Sequence, residues 1–159
     1  MNKIRVLFCC MGNICRSPTA QGVFEALVVR EGLADRIEAD SAGTHAYHLG
    51  EPPDTRSQAT ARRRGVDLSG QRARKALEED FLRFDYVLAM DEDNLGLLAS
   101  ICPRGQEHKL HLFLDFAPHL GIREVPDPYY GGPSGFERVF DMIEDASRGL
   151  IEEIRPRLG

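Results

Sequence analysis

Ile4-Arg5-Val6-Leu7-Phe8-Cys9-Cys10-Met11-Gly12-Asn13-Ile14-Cys15-Arg16-Ser17-Pro18 sets an apolar run, a short polar loop and a helix start in direct succession. If Ile4 to Phe8 is a strand and Ser17-Pro18 supplies the N-cap and first helical residue, residues 11–16 form a tight strand-to-helix loop. Backbone N–H groups in such a loop can converge as an anion-binding nest at the positive end of a helix. Gly12 permits the turn without a Cβ clash.

A dianionic phosphate needs converging donors, a charge that does not titrate away, and a nucleophile opposite the leaving group. Arg16 lies six positions after Cys10, so a curled loop can bring its planar guanidinium over the anion for two parallel hydrogen bonds. The same surroundings favour the thiolate form of Cys10, and Ser17 can donate a hydrogen bond to its sulfur. A strand-end cysteine is otherwise often an inert buried thiol. The glycine, the asparagine and the helix start around Cys10 favour the nucleophile.

Outward from this loop, strands are predicted at Lys3 to Cys9, Arg36 to Ser41, Phe84 to Met90 and Lys109 to Phe113. Ala20, Val23, Phe24, Leu27 and Val28 recur at three and four residues, giving a first helix that Gly32 can terminate. Ser134 and Glu137 have capping-box spacing at the start of a last helix whose buried face is Phe136, Val139, Phe140, Ile143, Leu150, Ile151 and Ile154. Alternating strands and helices predict an α/β fold. Residues 1–159 are expected to form a single domain with a four-stranded parallel doubly wound sheet and helices on both faces. Ligands bind such sheets beyond the carboxyl ends of the strands, where Cys10 falls.

Residues 117–133 are rich in Pro and Gly and lack periodicity, and long loops in compact domains are often functional. Asp127 stands there between Pro126 and Pro128, which restrict where its carboxyl can point. A carboxylic acid so placed can protonate a departing phenolate and then, as carboxylate, activate water against a phosphocysteine. The plainer reading is a turn aspartate bonded to its own backbone. Tyr129 and Tyr130 follow, and an aromatic pair on a cleft rim can flank a phenyl ring. Asp91 either orients Arg16 through a bidentate pair or caps the helix before Asn94 to Ser100.

Val6 to Ala20 resembles the amino-terminal signature of the low-molecular-weight protein tyrosine phosphatases. Asp40 to Thr44, Pro53-Asp54, Phe84 to Asp91 and Asp127 to Gly131 match that family in order and spacing, so the resemblance covers essentially the whole chain. It implies hydrolysis of phosphotyrosine monoesters through a phosphocysteine on Cys10. Arg16 and the loop amides of Met11, Gly12, Asn13, Ile14 and Cys15 would hold the phosphate, with Asp127 as general acid and then base. The expected rate profile is bell-shaped in pH.

The resemblance also implies rim roles for Tyr129 and Tyr130 and their phosphorylation, and puts Tyr47 where many bacterial members carry tryptophan. Ile14 takes the place of a threonine in the similar phosphoarginine phosphatases, so its apolar side chain favours an aryl leaving group. Asn13 is expected to hold the loop from a left-handed backbone conformation, with Ser41 in the same network. Gln71 stands where family members use histidine and can hydrogen-bond without titrating. Cys15, carried toward Cys10 by the curled loop, makes a redox pair with it, and a reversible disulfide would protect the nucleophile. Cys9 is expected to face the opposite side of the strand.

With 159 residues and a formal charge of −5, nucleic acid is not the expected partner, and Arg62-Arg63-Arg64 reads as a solvated helix end. The apolar run at the amino terminus is too short for a signal peptide or membrane span. Together with a catalytic thiolate this predicts a cytoplasmic protein with no membrane association. Cys102, His108 and His111 do not close a metal site, and no metal or cofactor is expected. The partners would be a phosphotyrosine-containing protein and, as a further candidate, a tyrosine kinase; a monomer is the default. An arsenate reductase would need shuttle cysteines near residues 80–92, which the sequence lacks. A silent phosphotyrosine-binding module would more typically have lost Cys10 or Asp127.

Overall fold

Four strands, Ile4–Cys10 (β1), Ile37–Gly43 (β2), Tyr86–Ala89 (β3) and Leu110–Leu112 (β4), build one parallel sheet in the order β2-β1-β3-β4. The computed structural model describes residues 3–158. Chain direction across the sheet reverses between β1 and β3, and a crevice opens at such a switch point beyond the carboxyl ends of the strands. β1 ends there at Cys10.

Helices cover both faces, as expected. Val6, Phe8, Tyr86 and Leu88 point to the face covered by Arg16–Arg30 (α1) and Pro133–Ile154 (α5). Phe8 meets the rings of Phe24 and Phe113 edge-on, with centroids 5.5 and 5.1 Å away. Leu7, Cys9, Val87 and Ala89 point to the other face with Phe81 of Asp80–Arg83 (α3) and Leu98 of Glu92–Ile101 (α4). Cys9 is fully buried there, on the side opposite Cys10, because successive side chains of a strand alternate. Thr55–Arg63 (α2) packs outside α1 and α5. Among the described residues no helix is long and apolar enough to cross a membrane.

Several local expectations change. α1 begins at Arg16, one residue before the predicted cap. Pro18 therefore sits inside the first turn, where its missing N–H is one that no intrahelical carbonyl would use. The Ser17 hydroxyl turns toward Cys10 instead of capping. α5 begins at Pro133 after Gly132, whose φ of 65° few other residues adopt, and no side chain caps it; Ser134 and Glu137 form no capping box. β2 continues to Gly43, and α3 intervenes between α2 and β3 as an extra helical turn. Arg64 is more than a solvated helix end. It pairs with Asp141 at 2.8 Å and lies over the Phe140 ring, 4.4 Å from its centroid.

Candidate active site

The loop from Met11 to Cys15 is held from outside by its carbonyls. Cys10 O accepts from the Thr44 amide (2.9 Å), Met11 O from His45 (3.0 Å), Ile14 O from Asp54 (2.8 Å) and Cys15 O from Thr19 (3.2 Å). No amide of residues 11–15 donates to another described residue, so five N–H groups beside the start of α1 remain available to an anion. At Gly12 a Cβ would come within 2.9 Å of the His48 ring, so a side chain there would have to displace that ring.

Asn13 is the one non-glycine among the described residues with positive φ, at 58°, as its tolerance of the left-handed region suggested. Its amide nitrogen donates to Ser17 Oγ at 2.9 Å and Ser41 Oγ at 3.0 Å, and its oxygen accepts from the Arg74 amide at 2.9 Å. Ser41 donates on to Gln71 Oε1 at 3.3 Å, and Gln71 Nε2 donates to Pro18 O at 3.0 Å. Glutamine thus joins α1 to the network in the predicted place. Because Ser17 Oγ accepts from Asn13, its own proton can turn to Cys10 Sγ, 3.0 Å away, with the Ala42 carbonyl a longer alternative at 3.5 Å.

Arg16 is buried, with its side chain 6% exposed. One terminal nitrogen donates to Asp91 Oδ2 at 2.7 Å and to Val125 O at 2.9 Å. Burial alone would lower its pKa, but the charges of Cys10, Asp91 and Asp127 outweigh that and hold it above its ordinary value. The other oxygen of Asp91 accepts from the Asn94 amide at 2.8 Å and caps α4. The predicted bidentate pair is therefore absent: the carboxylate divides its two oxygens between the alternatives.

Asp127 lies near enough for its charge to act on Arg16. It also caps the turn Pro128–Tyr130 by accepting from the Tyr129 amide at 3.0 Å, the plainer reading of an Asp-Pro aspartate. Tyr129 is 45% exposed. Tyr47, 69% exposed, stacks on His45 with centroids 5.0 Å apart, and the His45 amide holds Met11. The two rings thus belong to separate segments, each tied to the loop. Ile14 is half-buried and Met11 exposed. The expectation for the Tyr130 side chain lies outside the described residues.

Cys10 and Cys15 are both free thiols. Burial pushes the Cys15 pKa up to about 12, aided by the charges of Asp54 and Cys10. The described residues contain no group of three or more His, Cys, Asp or Glu fit to hold a metal ion. Two site residues escaped the sequence reading. Asp54 was visible only as a family match, although Pro-Asp before a helix is also a cap signal; Arg74 gave no signal, because it serves Asn13 through its backbone.

Residues 5–158 match the family Low molecular weight phosphotyrosine protein phosphatase. The chain is 42% identical over 157 residues to the low molecular weight protein-tyrosine-phosphatase of Streptomyces coelicolor, covering 97% of this chain and 95% of that one. It is 40% identical over 150 residues to the human low molecular weight phosphotyrosine protein phosphatase, covering 93% and 94%. A crystal structure of the protein tyrosine phosphatase from Entamoeba histolytica with Hepes in the active site superimposes with a TM-score of 0.93. It is 40% identical, with 97% of this chain and 98% of that one covered.

Proposed function

The chain belongs to the low molecular weight phosphotyrosine protein phosphatase family, and from that premise we propose that it hydrolyses phosphotyrosine in proteins through a phosphocysteine on Cys10. The observation that carries this reading is the loop itself: unpartnered amides, a buried guanidinium and a cysteine sulfur 3.0 Å from a serine hydroxyl converge at one strand end.

The phosphate sits on the amides of residues 11–15, with the free edge of the Arg16 guanidinium on its equatorial oxygens. Cys10 Sγ attacks phosphorus as the bond to the tyrosine oxygen breaks, and Asp127 gives its proton to that oxygen, releasing neutral tyrosine. Asp127, now a carboxylate, takes a proton from water, whose oxygen attacks phosphorus. The S–P bond breaks and inorganic phosphate leaves. Ser17 stabilises the sulfur through its hydroxyl as it departs. Tyr47 and Tyr129 are the walls for the phenyl ring, and apolar Ile14 suits an aryl group. Cys15 stays a thiol at neutral pH and is the proposed resolving partner if Cys10 is oxidised.

The test is phosphate release from a phosphotyrosine peptide and a phosphoarginine peptide in parallel, with EDTA present, using wild type and Cys10→Ser. Release from phosphotyrosine alone, lost in Cys10→Ser, is the expected result. Stoichiometric binding without turnover would instead identify a phosphotyrosine-binding module.

A further inference from the structure

Asp54, the residue before α2, has every polar group committed. Its amide donates to the Ile14 carbonyl of the cradle at 2.8 Å. Oδ1 accepts from the amides of Arg56 at 2.8 Å and Ser57 at 3.3 Å, which caps α2. Oδ2 accepts from the Tyr129 hydroxyl at 3.0 Å and from the Arg56 guanidinium at 3.1 Å. That guanidinium also covers the Tyr129 ring, 4.6 Å from its centroid.

A helix cap needs one oxygen, so the bond to Tyr129 is additional to capping. Tyr129 in turn donates its amide to Asp127. On the other side of Asp127, Val125 accepts from Arg16 and donates to Met90 at 2.8 Å. The acid therefore lies midway between two anchors, each two residues away, and one of them ends on Asp54. The Asp54 side chain is only 11% exposed. Burial would raise its pKa, yet the hydrogen bonds from Arg56, Tyr129 and Ser57 hold it below the ordinary carboxylate value. The bond from Tyr129 is thus to an ionised acceptor at neutral pH, the stronger kind.

We infer that Asp54 is a positioning residue: by holding the Tyr129 hydroxyl while its amide holds Ile14, it fixes the acid segment against the cradle and sets the reach of Asp127 to the leaving oxygen. This rests on Asp127 being the proton donor proposed above. A misplaced acid harms substrates in proportion to the basicity of their leaving group, because an acidic phenol departs without protonation.

The experiment measures kcat and KM for phenyl phosphate and 2,4-dinitrophenyl phosphate with wild type, Asp54→Ala, Asp54→Asn, Tyr129→Phe and Asp127→Asn. Asp54→Ala is expected to lower kcat/KM, which reports departure of the phenol before the phosphocysteine common to both esters is hydrolysed, by about tenfold or more for phenyl phosphate and by about twofold at most for the dinitrophenyl ester. Asp54→Asn, which keeps an acceptor, should recover part of the loss. Tyr129→Phe, which loses only a hydroxyl and so is the safer fold, should show the same split. Equal losses on both esters in Asp54→Ala, or an unchanged ratio in Tyr129→Phe, would overturn the clasp while Asp127→Asn still alters the ratio. An unchanged ratio in Asp127→Asn overturns the acid itself, and the inference with it.

Discussion

Asp91 binds Arg16 with one carboxylate oxygen, at 2.7 Å, and the amide of Asn94 with the other, at 2.8 Å. One side chain therefore caps the start of α4 and aims the guanidinium that faces the cradle. The two roles separate by substitution, since asparagine caps helices about as well as aspartate but brings no charge. Asp91→Asn is expected to keep the melting temperature within a few degrees while kcat/KM falls about tenfold, the order of one charge-assisted hydrogen bond. Asp91→Ala should match that loss and also cost about 1 kcal/mol in stability for the missing cap. Calorimetry and kinetics on both variants check this, and equal melting losses in the two would contradict the division.

Asn13 combines a backbone conformation and a hub of hydrogen bonds. Asn13→Gly keeps the positive φ without strain and removes the hub, whereas Asn13→Ala also imposes a left-handed alanine at a cost of about 1 kcal/mol. Both variants should lose phosphate affinity, read as the inhibition constant of inorganic phosphate, with alanine the less stable of the two. If glycine retained wild-type affinity, the hub would be dispensable and only the turn would matter.

The sequence announced what is local. The strand, the glycine and asparagine of the loop and the arginine six residues on lie within one turn of chain, and the left-handed Asn13 followed from its residue type. Ser17 was read both as a helix cap, the usual signal of a serine before a proline, and as a donor to the Cys10 sulfur, and the structure keeps only the second role. The bond from Tyr129 to Asp54 spans 75 residues and leaves no periodicity to read. Asp91 was legible as two alternatives because either oxygen could be argued separately.

The buried thiols set the response to alkali. Burial, the largest effect, raises the Cys15 pKa from 9.0 to about 12, and complete burial raises that of Cys9 well above 9.0. Between pH 9 and 12 the unfolded chain loses protons that the folded chain keeps, so the unfolded state binds fewer protons and stability falls as pH rises. The decline has a limit of about 1.4 kcal/mol per pH unit for each thiol. Urea unfolding at pH 8, 9.5 and 10.5 should show it, and Cys15→Ser, which is close in size but does not titrate there, should show a shallower one. Parallel curves for the two proteins would remove Cys15 as the cause.

Gln71 gives the cradle a support that does not titrate. It links Ser41 to Pro18 at the first turn of α1, so Gln71→Ala leaves the Ser41 hydroxyl and the Pro18 carbonyl without these partners, a loss of about 1 kcal/mol for each hydrogen bond. Because the network ends on Ser17 and Asn13, the expected effect on catalysis is a lower kcat with little change in KM for a small aryl phosphate. Gln71→His should instead place an ionisable ring (ordinary pKa about 6.5) between Ser41 and Pro18. Protonated, that ring can only donate, and Ser41 Oγ, already accepting from Asn13, must reorient its proton. Activity of Gln71→His relative to wild type should therefore vary across pH 5.5–7.5, whereas the ratio for Gln71→Ala stays flat. A flat ratio for the histidine variant would mean that residue 71 serves the cradle by packing alone.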